Sequence, residues 1–341
     1  MDILISAIKI VVVFGAMLTA VAYIVLLERR VAAAIQNRIG PNRVGWQGLL
    51  QPVADVVKLL TKEDVVPRQA NRFLHDLAPM ISIAVAFSTF AVVPFGSHIV
   101  LFGRDIKLQI ADVNIGILYI LALTSLGVYG VTLSGWSSNS KYSLLGGLRS
   151  SAQLISYELS MGISIIGVIL LAGTLRLDRI VEAQAGLKWN IFLQPLGFIT
   201  FVVSSFAETN RLPFDLPEAE PELVGGYHTE YSGLKFGLFF LAEYANMLTS
   251  SAIITTLYLG GWQVPFLNTL GFSDLTVSLI QVGAFCVKVL LMVLFFIIIR
   301  WTLPRFRYDQ LMNLGWKLML PLAVLNLLLT GMGILWIENL K

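Results

Sequence analysis

The sequence predicts an all-α polytopic membrane protein, with about eight transmembrane helices and short amphipathic helices in long cytoplasmic loops. Three observations predict it. The 341 residues are 56% hydrophobic and only 13% charged. Soluble domains carry roughly 45–50% and about 25%, so a soluble fold could not cover this chain. The apolar residues gather into runs of about 20, the length that takes an α-helix across the hydrocarbon of a bilayer. The basic residues sort to one side of those runs.

The runs lie at 5–27, 79–101, 114–136, 152–174, 191–209, 236–259, 276–299 and 317–337, within a single membrane domain, 1–341. The first reads as an anchor rather than a cleaved signal. It ends at Glu28-Arg29-Arg30, and the small residues Ala32 to Ala34 lie beyond those charges. Sixteen of the 24 lysines and arginines fall in segments 28–78, 137–150, 210–235 and 300–317, and six on the opposite side. The first set is therefore cytoplasmic and both termini are expected on the periplasmic side. No period of 20–50 residues repeats and no inverted repeat is evident.

Several chemistries are excluded. A net charge of +3 gives no support to nucleic acid binding. One cysteine, Cys286, cannot hold an iron–sulfur cluster, a structural zinc or an internal disulfide. His75, His98 and His228 are scattered, so no metal site is expected. There is no dinucleotide fingerprint and no P-loop. No bound metal, flavin or iron–sulfur cluster is expected in the chain, and any electrons would be carried by partners.

The first and third cytoplasmic loops carry distinctive patterns. In 28–78, Arg38-Ile39-Gly40-Pro41-Asn42-Arg43 reads as a basic turn. A short helix is expected next, with Pro52 in its first turn, where a missing N–H costs nothing. Gln51, Asp55, Lys58 and Lys62 share one face, with Val53, Val56, Val57, Leu59 and Leu60 filling the rest, the pattern of a helix lying in the interface. In 208–235, Pro213, Pro217 and Pro221 prevent a continuous helix. Glu218, Glu220 and Glu222 alternate, so in extended backbone they face one way. Carboxylates held that close cannot all ionise freely. The rival reading is a solvated acidic loop.

Among the ionisable residues within or at the ends of spans, four stand out: Glu158, Glu208, Glu243 and Lys288. Each charge at a helix centre costs roughly 2.5–3.5 kcal/mol on insertion scales. Such residues are expected to face a wet cavity or a ligand, or else to form buried pairs that hold helices together. Lys288 is expected to be neutral or paired with one of the glutamates.

Six strings together carry a resemblance: Glu28-Arg29, Arg38 to Asn42, Gly48 to Asp55, Ser156-Tyr157-Glu158-Leu159-Ser160, Ala207 to Asp215, and Pro304 to Gln310. Over about residues 15–330 the chain resembles the H subunit of proton-pumping NADH:quinone oxidoreductase, respiratory complex I, called subunit 1 in mitochondria. The resemblance implies a translocase component with no redox centre of its own, in a bacterial or mitochondrial inner membrane. It implies quinone (ubiquinone or menaquinone) as substrate, and the other membrane-arm and peripheral-arm subunits as partners. By the same resemblance, Glu28, Arg29, Arg38, Asp55 and Arg211 line the quinone passage. Glu158, Glu208 and Glu243 lead protons into the membrane arm, coupled to the loop acids Asp215, Glu218, Glu220 and Glu222, with Glu230 beyond them. Arg300, Arg305, Arg307 and Asp309 dock the peripheral arm. One departure stands out: some relatives carry a glutamate in the third span, and 114–136 here contain no acid. The rival readings are the homologous membrane component of a hydrogenase-type complex, an independent ion or solute transporter, and a purely structural anchor.

Overall fold

The computed structural model describes residues 2–101, 104–215, 224–267 and 273–339. Helix α1 (Asp2–Ile35) does not stop at Glu28-Arg29-Arg30 as the sequence predicts. At 1.5 Å per residue its 34 residues reach about 51 Å, well past the hydrocarbon thickness. The charged turn continues the helix because each charge finds a partner: Arg29 pairs with Asp55 at 2.7 Å and Glu28 is enclosed by neighbours described below. Helix α2 (Gln51–Thr61) has the expected Pro52 in its first turn. It leaves Val53, Val56, Val57 and Leu60 exposed, as an interfacial helix should.

Helix α3 (Arg72–Thr89) ends well before the expected boundary at 101. Pro94 and Gly96 follow it, and the chain then forms a hairpin that the sequence reading lacked. Strand β1 (His98–Leu101) pairs antiparallel with β2 (Arg104–Lys107). Helices α4 (Gly116–Ser137) and α5 (Lys141–Ala172) pack closely, Gly135 facing Gly147. A Cβ on Gly135 would lie 2.5 Å from the Ser143 carbonyl, so only glycine allows this approach. Helix α6 (Leu177–Ala183) occupies the following loop.

The expected fifth span, 191–209, is broken. Gln194 leaves helical geometry and Pro195 opens a new helix, dividing the run into α7 (Asn190–Leu193) and α8 (Pro195–Glu208). A residue before proline is pushed out of the α region, which accounts for the break. Fourteen residues are too short to cross alone, and α8 instead packs against α5, the next long helix and the C-terminal one. Helices α9 (Gly233–Tyr258), α10 (Asp274–Thr302), α11 (Tyr308–Asn313) and α12 (Leu320–Asn339) complete the chain, with a π turn, Leu314–Met319, joining the last two. Seven helical runs among the described residues are therefore long and apolar enough to cross a membrane, α8 being the short eighth. The chain is an all-α, multi-pass membrane protein. Helix α9 is the most enclosed, between α1, α3 and α10.

Of the two expectations for Lys288, the pairing with a glutamate is not met. Lys288 sits midway along α10 and meets no carboxylate among the described residues. Its Nζ donates to the carbonyls of Leu259 (2.8 Å), Gly261 (3.0 Å) and Gln263 (2.8 Å), and lies 4.5 Å from the centre of the Trp189 ring. All three ammonium donors are used. They close the C-terminus of α9, where the last carbonyls lack helical partners. Gly260 and Gly261 carry positive φ there, and a Cβ on Gly260 would strike Trp189.

Candidate functional site

The loop after α8 is pinned from α5. The Gln153 amide donates to the carbonyls of Ala207 (2.8 Å) and Phe214 (2.9 Å). That fixes Arg211 in the interior with only 2% of its surface exposed. Its Nη1 lies 3.2 Å from Glu28 Oε2 on α1, and its Nε lies 2.6 Å from Glu243 Oε1 on α9. Its guanidinium also covers the Tyr244 ring at 4.0 Å. Glu28 is 4% exposed and takes two further donors: the Tyr244 hydroxyl at 2.8 Å and Arg300 at the end of α10. At the margin, Asp215 is paired with Arg305 at 3.1 Å. Three acids thus meet three arginines, and the buried charges balance. Burial alone would drive a proton from Arg211. Glu243, Tyr244 and Glu28 outweigh it and hold the guanidinium above its usual value.

Hydrogen-bonding capacity is left over in this cluster. Arg211 Nη2, Asp215 Oδ1 and Gln153 Oε1 are buried with no hydrogen-bond partner among the described residues. Buried polar atoms are normally satisfied, so these three mark a place for water or a polar ligand.

A narrow cavity of about 80 Å³ begins beside this cluster. Its polar lining includes Glu208, Glu243, Asn246, Thr124, Thr249 and Ser82. Along α9 it extends from Phe239 to Ile253, a rise of about 21 Å. A polar cavity of this volume has room for a few waters. Glu243 contributes to both features, touching Arg211 and lining the cavity. Glu158 is not in the lining. It is half-buried on α5, accepts a hydrogen bond from Ser125 on α4, and lies within electrostatic reach of Glu208.

An apolar groove of about 650 Å³ runs along α1 from Val12 to Leu27, closed on the other side by Phe285, Val289 and Val293 of α10. It ends one residue short of Glu28.

Of the expected passage residues, Glu28 and Arg211 come together. Arg29 and Asp55 form a separate pair tying α2 to α1, and Arg38 is exposed, bonded to Gln36 at 2.7 Å. Glu218, Glu220 and Glu222 lie outside the described residues. Arg300 and Arg305, expected at a docking face, turn inward to Glu28 and Asp215, while Arg307 and Asp309 pair at the surface. The sequence reading missed Tyr244, Gln153 and Arg300 as members of the cluster. Tyr244 adjoins Glu243 and could have been suspected; nothing local signals the other two. The third span, α4, carries no acid and offers hydroxyls instead, with Thr124 in the lining and Ser125 on Glu158.

Burial, reinforced by Glu243 and opposed by Arg305 and Arg300, pushes the Asp215 carboxyl up to about 6. An unfolded aspartate titrates near 4, so the folded chain binds this proton more tightly. Folded-state stability from Asp215 is then lost as pH rises from about 4 to about 6 and stays level above. Asp215→Asn removes that slope. The Tm of the variant minus that of the wild type is expected to rise between pH 5 and pH 7.5, measured by thermal unfolding of the purified complex. A constant difference would show that Asp215 titrates normally.

Comparison with known proteins gives one consistent result. A family model described as NADH dehydrogenase matches residues 8–331. The chain is 51% identical to an H subunit of NADH-quinone oxidoreductase from Cytophaga hutchinsonii over 330 residues, covering 97% of this chain and 96% of that one. It is 53% identical to an H subunit of the same enzyme from Geobacter metallireducens over 341 residues, 100% and 98%. It is 54% identical to NADH-quinone oxidoreductase subunit 8 of Rhodothermus marinus over 332 residues, 94% and 95%.

Proposed function

We propose that this chain, which belongs to the NADH dehydrogenase family as an H subunit of NADH-quinone oxidoreductase, seats quinone beside the Glu28–Arg211–Arg300 cluster and couples its reduction to proton movement through the internal cavity. Quinone is the substrate of the complex, and the other complex I subunits are the partners. Two electrons and two protons convert a quinone to a quinol. Electrons reach it from elsewhere in the complex, so the task left to this chain is to guide the substrate and handle charge. The apolar groove along α1 suits an isoprenoid tail, and it leads to the buried ion cluster.

The observation that carries the reading is the position of Glu243. It is a counter-charge to Arg211 and also a wall of the cavity that holds Glu208. In the balanced cluster, charge appearing on a nearby ligand disturbs Arg211, and Arg211 bears directly on Glu243. A proton taken or released by Glu243 then has a polar, narrow path toward Glu208, and Glu158 stands next in reach. The positive-inside pattern supports a cluster near the cytoplasmic face, and with α7 and α8 together making the eighth crossing both termini fall on the periplasmic side. The unshared face of Glu158 fits a partner helix in the membrane arm, because a half-exposed acid in mid-span is costly against lipid.

Glu243→Gln keeps the shape and a hydrogen-bonding group while removing the titration. In inverted membrane vesicles this variant is expected to slow NADH-driven quinone reduction and proton uptake severalfold together. Wild-type rates of both in a fully assembled variant would refute the coupling role.

A further inference from the structure

His75 on α3 is completely buried, and neither ring nitrogen has a hydrogen-bond partner of full geometry among the described residues. A buried polar group left in this condition is destabilising. The ring stacks on Tyr231 at 3.9 Å with planes 8° apart. That holds it flat and points both nitrogens edgewise. The cluster that fixes the cavity and Arg211 makes no use of it.

Its surroundings connect two places. On the cytoplasmic side lies an ion trio, Lys235 with Asp64 at 2.7 Å and Asp76 at 2.6 Å, in which both acids are about half exposed. Lys235, Asp76 and Asp64 all bear electrostatically on His75, and the backbone of Glu230 approaches its ring. On the inner side Tyr231 packs edge-on against Phe239 at 5.0 Å, and Phe239 against Tyr227 at 5.5 Å. Tyr227 and Phe239 are themselves walls of the cavity that contains Glu208 and Glu243. A layer of aromatic rings therefore separates a buried histidine from a polar cavity. Tyr231 is held at its hydroxyl by Ser137 at 3.3 Å.

We propose that His75 is the relay of a cytoplasmic proton inlet to this cavity, gated by Tyr231, Tyr227 and Phe239. The inference rests on the proton-handling reading above. Imidazole suits the role because it can accept a proton at one nitrogen and release the other from the opposite nitrogen, returning to its starting charge. Protons come from cytoplasmic water at Asp76 and Asp64 and pass to cavity water when the aromatic layer parts. Tyr227 and Tyr231 belong to the same connection between α8 and α9 that carries Arg211 and Asp215. At rest the aromatic layer keeps the inlet closed, which prevents back-flow.

The test uses the assembled complex in inverted vesicles. His75→Phe preserves the stack and removes both nitrogens, and His75→Gln keeps a polar group without the relay chemistry. Both are expected to reduce NADH-driven, quinone-dependent proton uptake at least fivefold, with a deficit that grows from pH 6.5 to pH 8.5 as protons become scarce. NADH oxidation by a water-soluble acceptor should be unchanged. Glu208→Gln is measured in parallel. If Glu208→Gln pumps normally, the cavity does not carry protons and the inlet falls with it. If Glu208→Gln is defective while both His75 variants match the wild type, the inlet alone is overturned. If neither His75 variant assembles, His75 is a packing residue and the inlet is likewise overturned.

Discussion

Arg211→Met is expected to abolish quinone-dependent NADH oxidation and to destabilise the chain by about 3–5 kcal/mol, the usual cost of removing one partner from a buried ion pair. Arg211 is 2% exposed and is shared between Glu28 and Glu243. Without it, Glu28 retains Arg300 and Tyr244, but Glu243 loses the only cation paired with it among the described residues. The methionine fills the space yet supplies no charge. The double variant Arg211→Met, Glu243→Gln removes both charges of one pair and should regain part of the stability while remaining inactive. Arg211→Lys should not restore function, because an ammonium cannot span two carboxylates with a planar fork and cover the Tyr244 ring. Thermal unfolding of the purified complex and quantification of the chain in it measure the first effect. Full stability of Arg211→Met would mean that the buried charges are not held as described.

Lys288→Met is expected to cost roughly 3–6 kcal/mol, because three carbonyls at the end of α9 lose their shared donor. Its cation–π contact with Trp189 is lost as well. The defect is one of folding. It should appear as reduced amounts of the assembled complex, while the molecules that do assemble reduce quinone at the normal rate. That separates Lys288 from the ion cluster, where stability and turnover fall together. An assembled, stable Lys288→Met complex that has lost proton uptake would instead make Lys288 a functional cation.

The legible and illegible parts of this chain divide along physical lines. Hydropathy located every long span, since 20 apolar residues have few other uses. The broken run at Gln194-Pro195 and the early end of α3 before Pro94 and Gly96 were written in prolines and glycines, but a continuous apolar stretch masked them. Glu28 passed for the end of a helix because its partners, Arg211 and Arg300, lie 183 and 272 residues away. No local pattern encodes such a pairing. The same holds for Lys288, whose acceptors are backbone carbonyls available to any sequence. In the sequence His75 is one of three scattered histidines, and only its neighbours in the fold make it notable. The resemblance singled out Glu208 and Glu243 as important, yet the sharing of Glu243 between cluster and cavity became visible only in three dimensions.

Coupling through this chain requires that Glu243 and Glu208 border one water-holding space. High-resolution electron cryomicroscopy of the assembled complex, with ordered waters resolved, tests it most directly. A file of waters joining the two carboxylates along the 80 Å³ cavity is the expected result. A dry cavity, filled by side chains or lipid, with each carboxylate bound to its own fixed cation, would contradict it.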